Sequence, residues 1–114
     1  MNRNTVLAIG GVAIAGAAIW WLARRKGTQI NLVEGQNDIV WPWGNVSTIE
    51  QFADATMYLN TIWFDVGNGT WLMYSPNVEE WICDLWTLET GRPYIFTMFQ
   101  DCTMTFEGGR VVFE

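Results

Sequence analysis

The sequence predicts an α+β protein: an N-terminal transmembrane helix, residues 1–26, followed by a small, mainly antiparallel β domain with one helix, residues 27–114. Three observations predict it. The run from Val6 to Ala23 holds no charged residue and no proline. Beyond Gly27 the chain breaks into short stretches, some alternating apolar with polar residues and others rich in β-branched and aromatic ones, bounded by Gly, Asn, Asp and Pro, which is the pattern of strands and turns. One stretch, opening at Ser47, changes to helical periodicity.

The apolar run is long enough to cross a membrane. At about 1.5 Å per residue it spans roughly 27 Å, close to the ~30 Å of a bilayer core. It ends in Trp20 and Trp21 and is followed by Arg24-Arg25-Lys26. A tryptophan pair suits the membrane interface and a basic triplet suits the lipid head groups. The same residues make a poor signal-peptidase site, so an uncleaved anchor is expected. Ala8, Gly11, Ala15 and Ala18 share one helical face, and small residues at that spacing permit close approach and self-association. The expected partners are thus the lipid membrane, through residues 6–23, and a protein partner or a second copy.

The domain's elements follow in order. Gln29-Ile30-Asn31-Leu32 alternates as a strand. Gly35-Gln36-Asn37-Asp38 is a turn cluster, and Ile39 to Trp43 a second strand that Pro42 confines to an edge or an end. Ser47 with Glu50 forms a capping box for a helix running to about Asn60. Thr61–Val66 and Thr70–Tyr74 flank the hairpin turn Gly67-Asn68-Gly69. Val78 to Leu88 reads as a helical turn or an irregular loop. Tyr94–Phe99, Cys102–Phe106 and Val111–Phe113 complete the strands.

Charge and composition exclude several functions. The domain carries two basic residues, Arg92 and Arg110, against all 12 acidic residues of the chain, a net charge of −10. Such a surface repels phosphate backbones, so no nucleic acid is expected as a partner. There is no His, which removes the commonest general base and the commonest metal ligand. No cofactor, no metal and no catalytic residue is expected. Asp65, Glu79, Glu80, Asp84, Glu89 and Asp101 supply carboxylates, but no spacing singles out a pair for acid–base work. Cys83 and Cys102 match no zinc pattern; they suit either a disulfide, in an oxidising compartment, or two buried thiols. Asn45-Val46-Ser47 and Asn68-Gly69-Thr70 are glycosylation sequons.

The ordered motifs are Gln29-Ile30-Asn31-Leu32, a Trp-Pro strand, Ser47-Thr48-Ile49-Glu50, Ile62-Trp63, and Gly69-Thr70-Trp71-Leu72-Met73-Tyr74-Ser75-Pro76. Then come Trp81, Asp84-Leu85, Leu88-Glu89-Thr90-Gly91, Pro93-Tyr94-Ile95 and Asp101-Cys102-Thr103-Met104-Thr105-Phe106. In this order they resemble a small Trp-rich β module of bacterial and archaeal secreted and surface proteins, which reads "GWNL…W..Y.P…L..L..G.GYWI…D.TLTF". The likeness covers about residues 28–107. It departs at Gly35-Gln36-Asn37, where the module has Gly-Trp-Asn, and at Arg92 to Phe96, where it has "GYWI". The resemblance implies the fold and a surface location, and no activity.

Six tryptophans lie in the domain. A small domain needs bulky apolar residues inside, so Trp63, Trp71, Trp81 and Tyr94, which belong to the ordered motif, are expected in the core. Trp43 and Trp86, outside it or beside chain breakers, are the expected interaction surface. The functional expectation is a membrane-anchored, non-catalytic surface interaction or adhesion module. The alternative is a structural protein of a larger assembly, such as a membrane-containing virion, a phage particle or an envelope complex. Orientation has two indications. The basic triplet places the domain in the cytoplasm or a particle interior. The resemblance places it outside, at the cell surface, which is the side expected here.

Overall fold

The computed structural model describes residues 29–114. The expected anchor, residues 1–26, with its apolar run 6–23, lies outside the described residues. Among the described residues no helix is long and apolar enough to cross a membrane.

Two antiparallel sheets carry the domain. The first has strand order β1-β8-β9, from β1 (Gln29–Leu32), β8 (Cys102–Glu107) and β9 (Arg110–Phe113). The second has order β2-β7-β4-β5, from β2 (Gly35–Val40), β7 (Pro93–Met98), β4 (Leu59–Gly67) and β5 (Thr70–Tyr74). A small ribbon pairs β3 (Val46–Ser47) with β6 (Thr87–Leu88). One short helix, α1 (Thr48–Phe52), and a 3₁₀ turn, η1 (Glu80–Ile82), complete the described elements. The expected α+β class, mostly antiparallel with one helix, is what folds here.

Alternation decides the faces. In β7, Tyr94, Phe96 and Met98 are buried while Pro93, Ile95 and Thr97 face outward. In β1, Ile30 and Leu32 are buried and Gln29 and Asn31 are exposed. The buried faces meet an aromatic cluster supplied by the connections and α1. The Trp41 ring lies parallel to Phe96 at 6.4 Å and edge-on to Phe52 at 6.3 Å. Phe52 in turn reaches Phe113 of the other sheet at 6.0 Å. Aromatic pairs at these separations each add about 0.5–1.5 kcal/mol beyond their buried area. Trp41 keeps its polar end satisfied by donating from Nε1 to the Gly44 carbonyl at 2.9 Å.

The chain passes twice between the sheets, and one contact ties both crossings together. The first crossing joins β1 to β2 and the second joins β7 to β8. The Glu34 amide on the first donates to the Asp101 carboxylate on the second at 2.8 Å.

Two elements differ from expectation. Gly35-Gln36-Asn37-Asp38 is not a turn: it is the first part of β2, paired with β7 from Gly35↔Met98 onward. The reversal needs only Val33 and Glu34, because Gly35 takes φ +95° and the Asn37 side chain satisfies the corner. Conversely, Trp41 to Trp43 lies beyond the end of β2, although Trp41 still exchanges backbone hydrogen bonds with Gly91 and Arg92. The helix begins as expected, with Ser47 Oγ accepting from the Glu50 amide at 3.3 Å, but it stops at Phe52. Phe52, Ala55 and Leu59 are all buried through successive turns, while Thr56 and Met57 point outward. The apolar stripe is therefore satisfied without a continuous helix.

Candidate functional site

Two apolar surface features stand out, both on the four-stranded sheet. The first is a shelf on its outer face. Register places Trp63 of β4 beside Ile95 of β7, and Asp65 of β4 opposite Trp71 of β5. Trp63, Trp71, Ile95, Thr97 and Gln36 line an open depression of about 350 Å³. Trp71 is 43% exposed. The Trp63 indole is fixed: its Nε1 donates to Thr61 Oγ1 at 2.9 Å, and the Thr61 hydroxyl is hydrogen-bonded to that of Thr97 across the strands. The half-buried Trp63 indole, fixed by this hydrogen bond, and the exposed Trp71 indole line the same depression and together form a contact surface.

The second feature is a groove of about 230 Å³ beside Trp86, bounded by Phe64, Leu72, Tyr94, Glu89 and Arg92. The Arg92 guanidinium lies over the Phe64 ring, 5.4 Å from its centre, and pairs with Glu89 at 3.4 Å. The Tyr94 hydroxyl accepts from the Glu89 amide at 2.8 Å, and burial pushes its pKa upward. This corner is held together by its own partners.

The two tryptophans singled out from sequence do not form one surface. Trp86 is 44% exposed and borders the groove. Trp43 is 5% exposed and belongs to the core, which corrects the expectation for it. Its ring stacks on Phe106 at 5.5 Å and meets Trp41 edge-on at 5.1 Å. Its carbonyl accepts from Thr90 Oγ1, and Asn45 Oδ1 accepts from the Thr90 amide, so the Thr90 turn locks this loop over the ring.

The reverse correction applies to Trp71 and Trp81. Both were expected inside, and Trp81 is 80% exposed on η1. Trp63 is half-buried, and Tyr94 alone of that set is buried. One signal for the shelf was present in the sequence. On β4, Trp63 shares its parity with Thr61 and Asp65, and a strand face shared with polar residues is the solvent face.

Cys83 and Cys102 are free thiols, not a disulfide. Cys83 is buried and its thiol donates to the Ser75 carbonyl at 3.6 Å. Cys102 opens β8 opposite Leu32; burial, helped by the Asp101 charge, pushes its pKa up to about 11. A thiol held neutral in this way is a weak nucleophile.

The carboxylates act on the backbone. Asp65 accepts from the Gly67 amide at 2.8 Å, and Asp84 accepts from the Met73 amide at 2.7 Å, covering the edge of β5. Among the described residues no three His, Cys, Asp or Glu side chains gather where they could hold a metal ion. Of the two sequons, Asn45 is engaged with Thr90, whereas Asn68 sits at the tip of the β4–β5 hairpin with φ 56°. The chain matches no protein-family model, no curated protein and no solved structure.

Proposed function

We propose that this chain is a non-catalytic interaction module, held at a membrane by residues 6–23 and presenting the outer face of its four-stranded sheet to a protein partner. The observation that carries the reading is the Trp63–Trp71 shelf. Two indoles and Ile95 remain accessible on a face where a domain of this size gains nothing from leaving them uncovered. One oxygen of Asp65 and one of Asp84 accepts from a backbone amide, which fixes each carboxylate and leaves its charge in place, and the thiol of Cys102 is buried and neutral, which favours binding over chemistry. The resemblance to surface modules and the uncharged N-terminal run support a membrane-bound, extracytoplasmic setting.

Photo-crosslinking tests this reading. A photoreactive residue is placed at Trp71 in the full-length protein in its native membranes, with Asn31, on the outer face of the other sheet, as the control position. A discrete crosslinked product at 71 and none at 31 is expected. No product at either position, or equal products at both, overturns the assignment of this face.

A further inference from the structure

We propose that the shelf takes a basic segment of a partner protein, with an arginine or lysine side chain seated on Trp63 and Trp71 between Asp38 and Asp65; this rests on the reading of the sheet's outer face as an interaction surface. Register and alternation define that face. It presents Gln36, Asp38 and Val40 from β2, Pro93, Ile95 and Thr97 from β7, Thr61, Trp63 and Asp65 from β4, and Trp71 and Met73 from β5. Two members are acidic and none is basic.

Position matters as much as number. Asp65 lies opposite Trp71 and two residues along the same strand from Trp63, so it borders both rings. Asp38 pairs with Ile95, which pairs with Trp63, so it stands two strands away, about 10 Å at the usual ~4.8 Å spacing. The indole faces and the two carboxylates therefore favour positive charge together: the rings through their quadrupoles, the acids through their charge. Among the described residues no cation competes for the place. Arg92 lies over Phe64, whose neighbour on the inner side of the sheet is Tyr94, and is paired with Glu89. Arg110 belongs to the other sheet. With a domain charge of −10, long-range attraction acts in the same direction.

Shape selects a polypeptide over a small organic cation. Small ligands bind where most of their surface, about 70–90%, is enclosed. Here the depression is open and spread over the strands β2, β7, β4 and β5. A segment lying across the strands gains contacts at several points, which a single small cation cannot. Arginine suits the site better than lysine, because a planar guanidinium stacks on an indole and reaches a carboxylate at the same time.

The test uses the full-length protein in neutral detergent, with its tryptophan indole N–H resonances followed by NMR. The probe is a capped octapeptide alternating arginine and serine. Comparison probes are the matching glutamate–serine peptide and a neutral glucose hexasaccharide. The expected result is saturable movement of the Trp63 and Trp71 signals with the arginine peptide alone, while those of Trp81 and Trp86 stay in place. Apparent affinity should fall about tenfold between low and moderate salt, as exposed charge pairs are screened. Asp65→Asn should weaken it about two- to fivefold, the size of one exposed charge contact. Trp71→Ala should abolish it, with the buried Trp41 signal unchanged as the control for folding. If the arginine peptide moves Trp81 and Trp86 as much as Trp63 and Trp71, attraction is diffuse and the proposal is overturned. If the hexasaccharide or the glutamate peptide moves Trp63 and Trp71 as strongly, the cationic assignment is overturned, while the face remains an interaction surface. The crosslinking experiment decides that broader reading separately.

Discussion

Asn37 and Val33 hold each other twice. The Asn37 Oδ1 accepts from the Val33 amide at 3.0 Å, and its Nδ2 donates to the Val33 carbonyl at 2.9 Å. The same Nδ2 also reaches the Gly35 carbonyl at 3.1 Å and the Phe96 carbonyl at 3.4 Å. One fully buried side chain thus closes the corner where the chain leaves one sheet for the other. Asn37→Ala removes these partners from one buried and three part-buried hydrogen bonds, and a backbone group left buried and unsatisfied costs about 1–3 kcal/mol. A total loss of roughly 2–4 kcal/mol is expected, read as a lower urea midpoint with an unchanged slope. A loss below about 0.5 kcal/mol, the range of ordinary surface changes, would show that the corner does not depend on Asn37.

Trp43 and Trp71 should separate cleanly in stability. Trp43→Ala removes a ring packed between Trp41 and Phe106 and is expected to cost about 3–5 kcal/mol. Trp71→Ala removes a ring that is 43% exposed and is expected to cost roughly 1 kcal/mol. Thermal unfolding of the two variants measures both. Equal losses would place Trp71 in the core after all and remove the shelf.

Alkaline pH should weaken the fold. Burial raises the Cys102 thiol from 9.0 to about 11 and the Tyr74 hydroxyl from 10.0 to about 12, the latter with help from Cys83, Glu80 and Asp54. Both groups are neutral when protonated, so the folded state holds their protons more tightly than the unfolded chain does. Their stabilising contribution is complete below about pH 9 and is lost as pH rises through 11 and 12. Urea midpoints should therefore be level from pH 7 to pH 8.5 and fall from pH 9.5 to pH 10.5. In Cys102→Ala the fall should begin later, at the onset of tyrosine ionisation. An identical profile in that variant would remove Cys102 from the account.

Gln51 joins α1 to the last strand. Its Oε1 accepts from the Val111 amide at 2.8 Å and its Nε2 donates to the Gly109 carbonyl at 3.0 Å. Gln51→Ala should cost about 1–2 kcal/mol, two partly exposed hydrogen bonds, and should speed amide exchange of Val111 first. Unchanged exchange at Val111 would show that the clamp does not hold β9.

Two experiments test membrane attachment and sidedness. The uncharged run from Val6 to Ala23 calls for detergent to extract the full-length protein, whereas recovery in the aqueous fraction without detergent would remove the anchor. With intact cells or particles, an extracytoplasmic domain is cut by added protease. A domain cut only after the membrane is opened would reverse that orientation and favour the assembly-protein reading.

Local chemistry determined much of this domain from the sequence. Alternation marked β1 and β8, the Gly67-Asn68-Gly69 turn marked the β4–β5 hairpin, and Ser47 with Glu50 marked the start of α1. These signals act between neighbours, so a sequence displays them directly. Only tertiary structure decided which tryptophans are inside. Trp43 is buried because Phe106, 63 positions away, stacks on it and the Thr90 turn closes over its loop. Trp71 is exposed because pairing with β4 sets it opposite Asp65 on the solvent face, while its neighbour Leu72 pairs with Phe64 on the inner one. On β5 both faces carry apolar residues, so alternation alone could not say which face met the core. The length of α1 was decided in the same way: Ala55 and Leu59 reach the core through turns, and a longer helix adds no burial. Burial depends on which strand lies opposite, and that partner is fixed by the fold, not by adjacent residues.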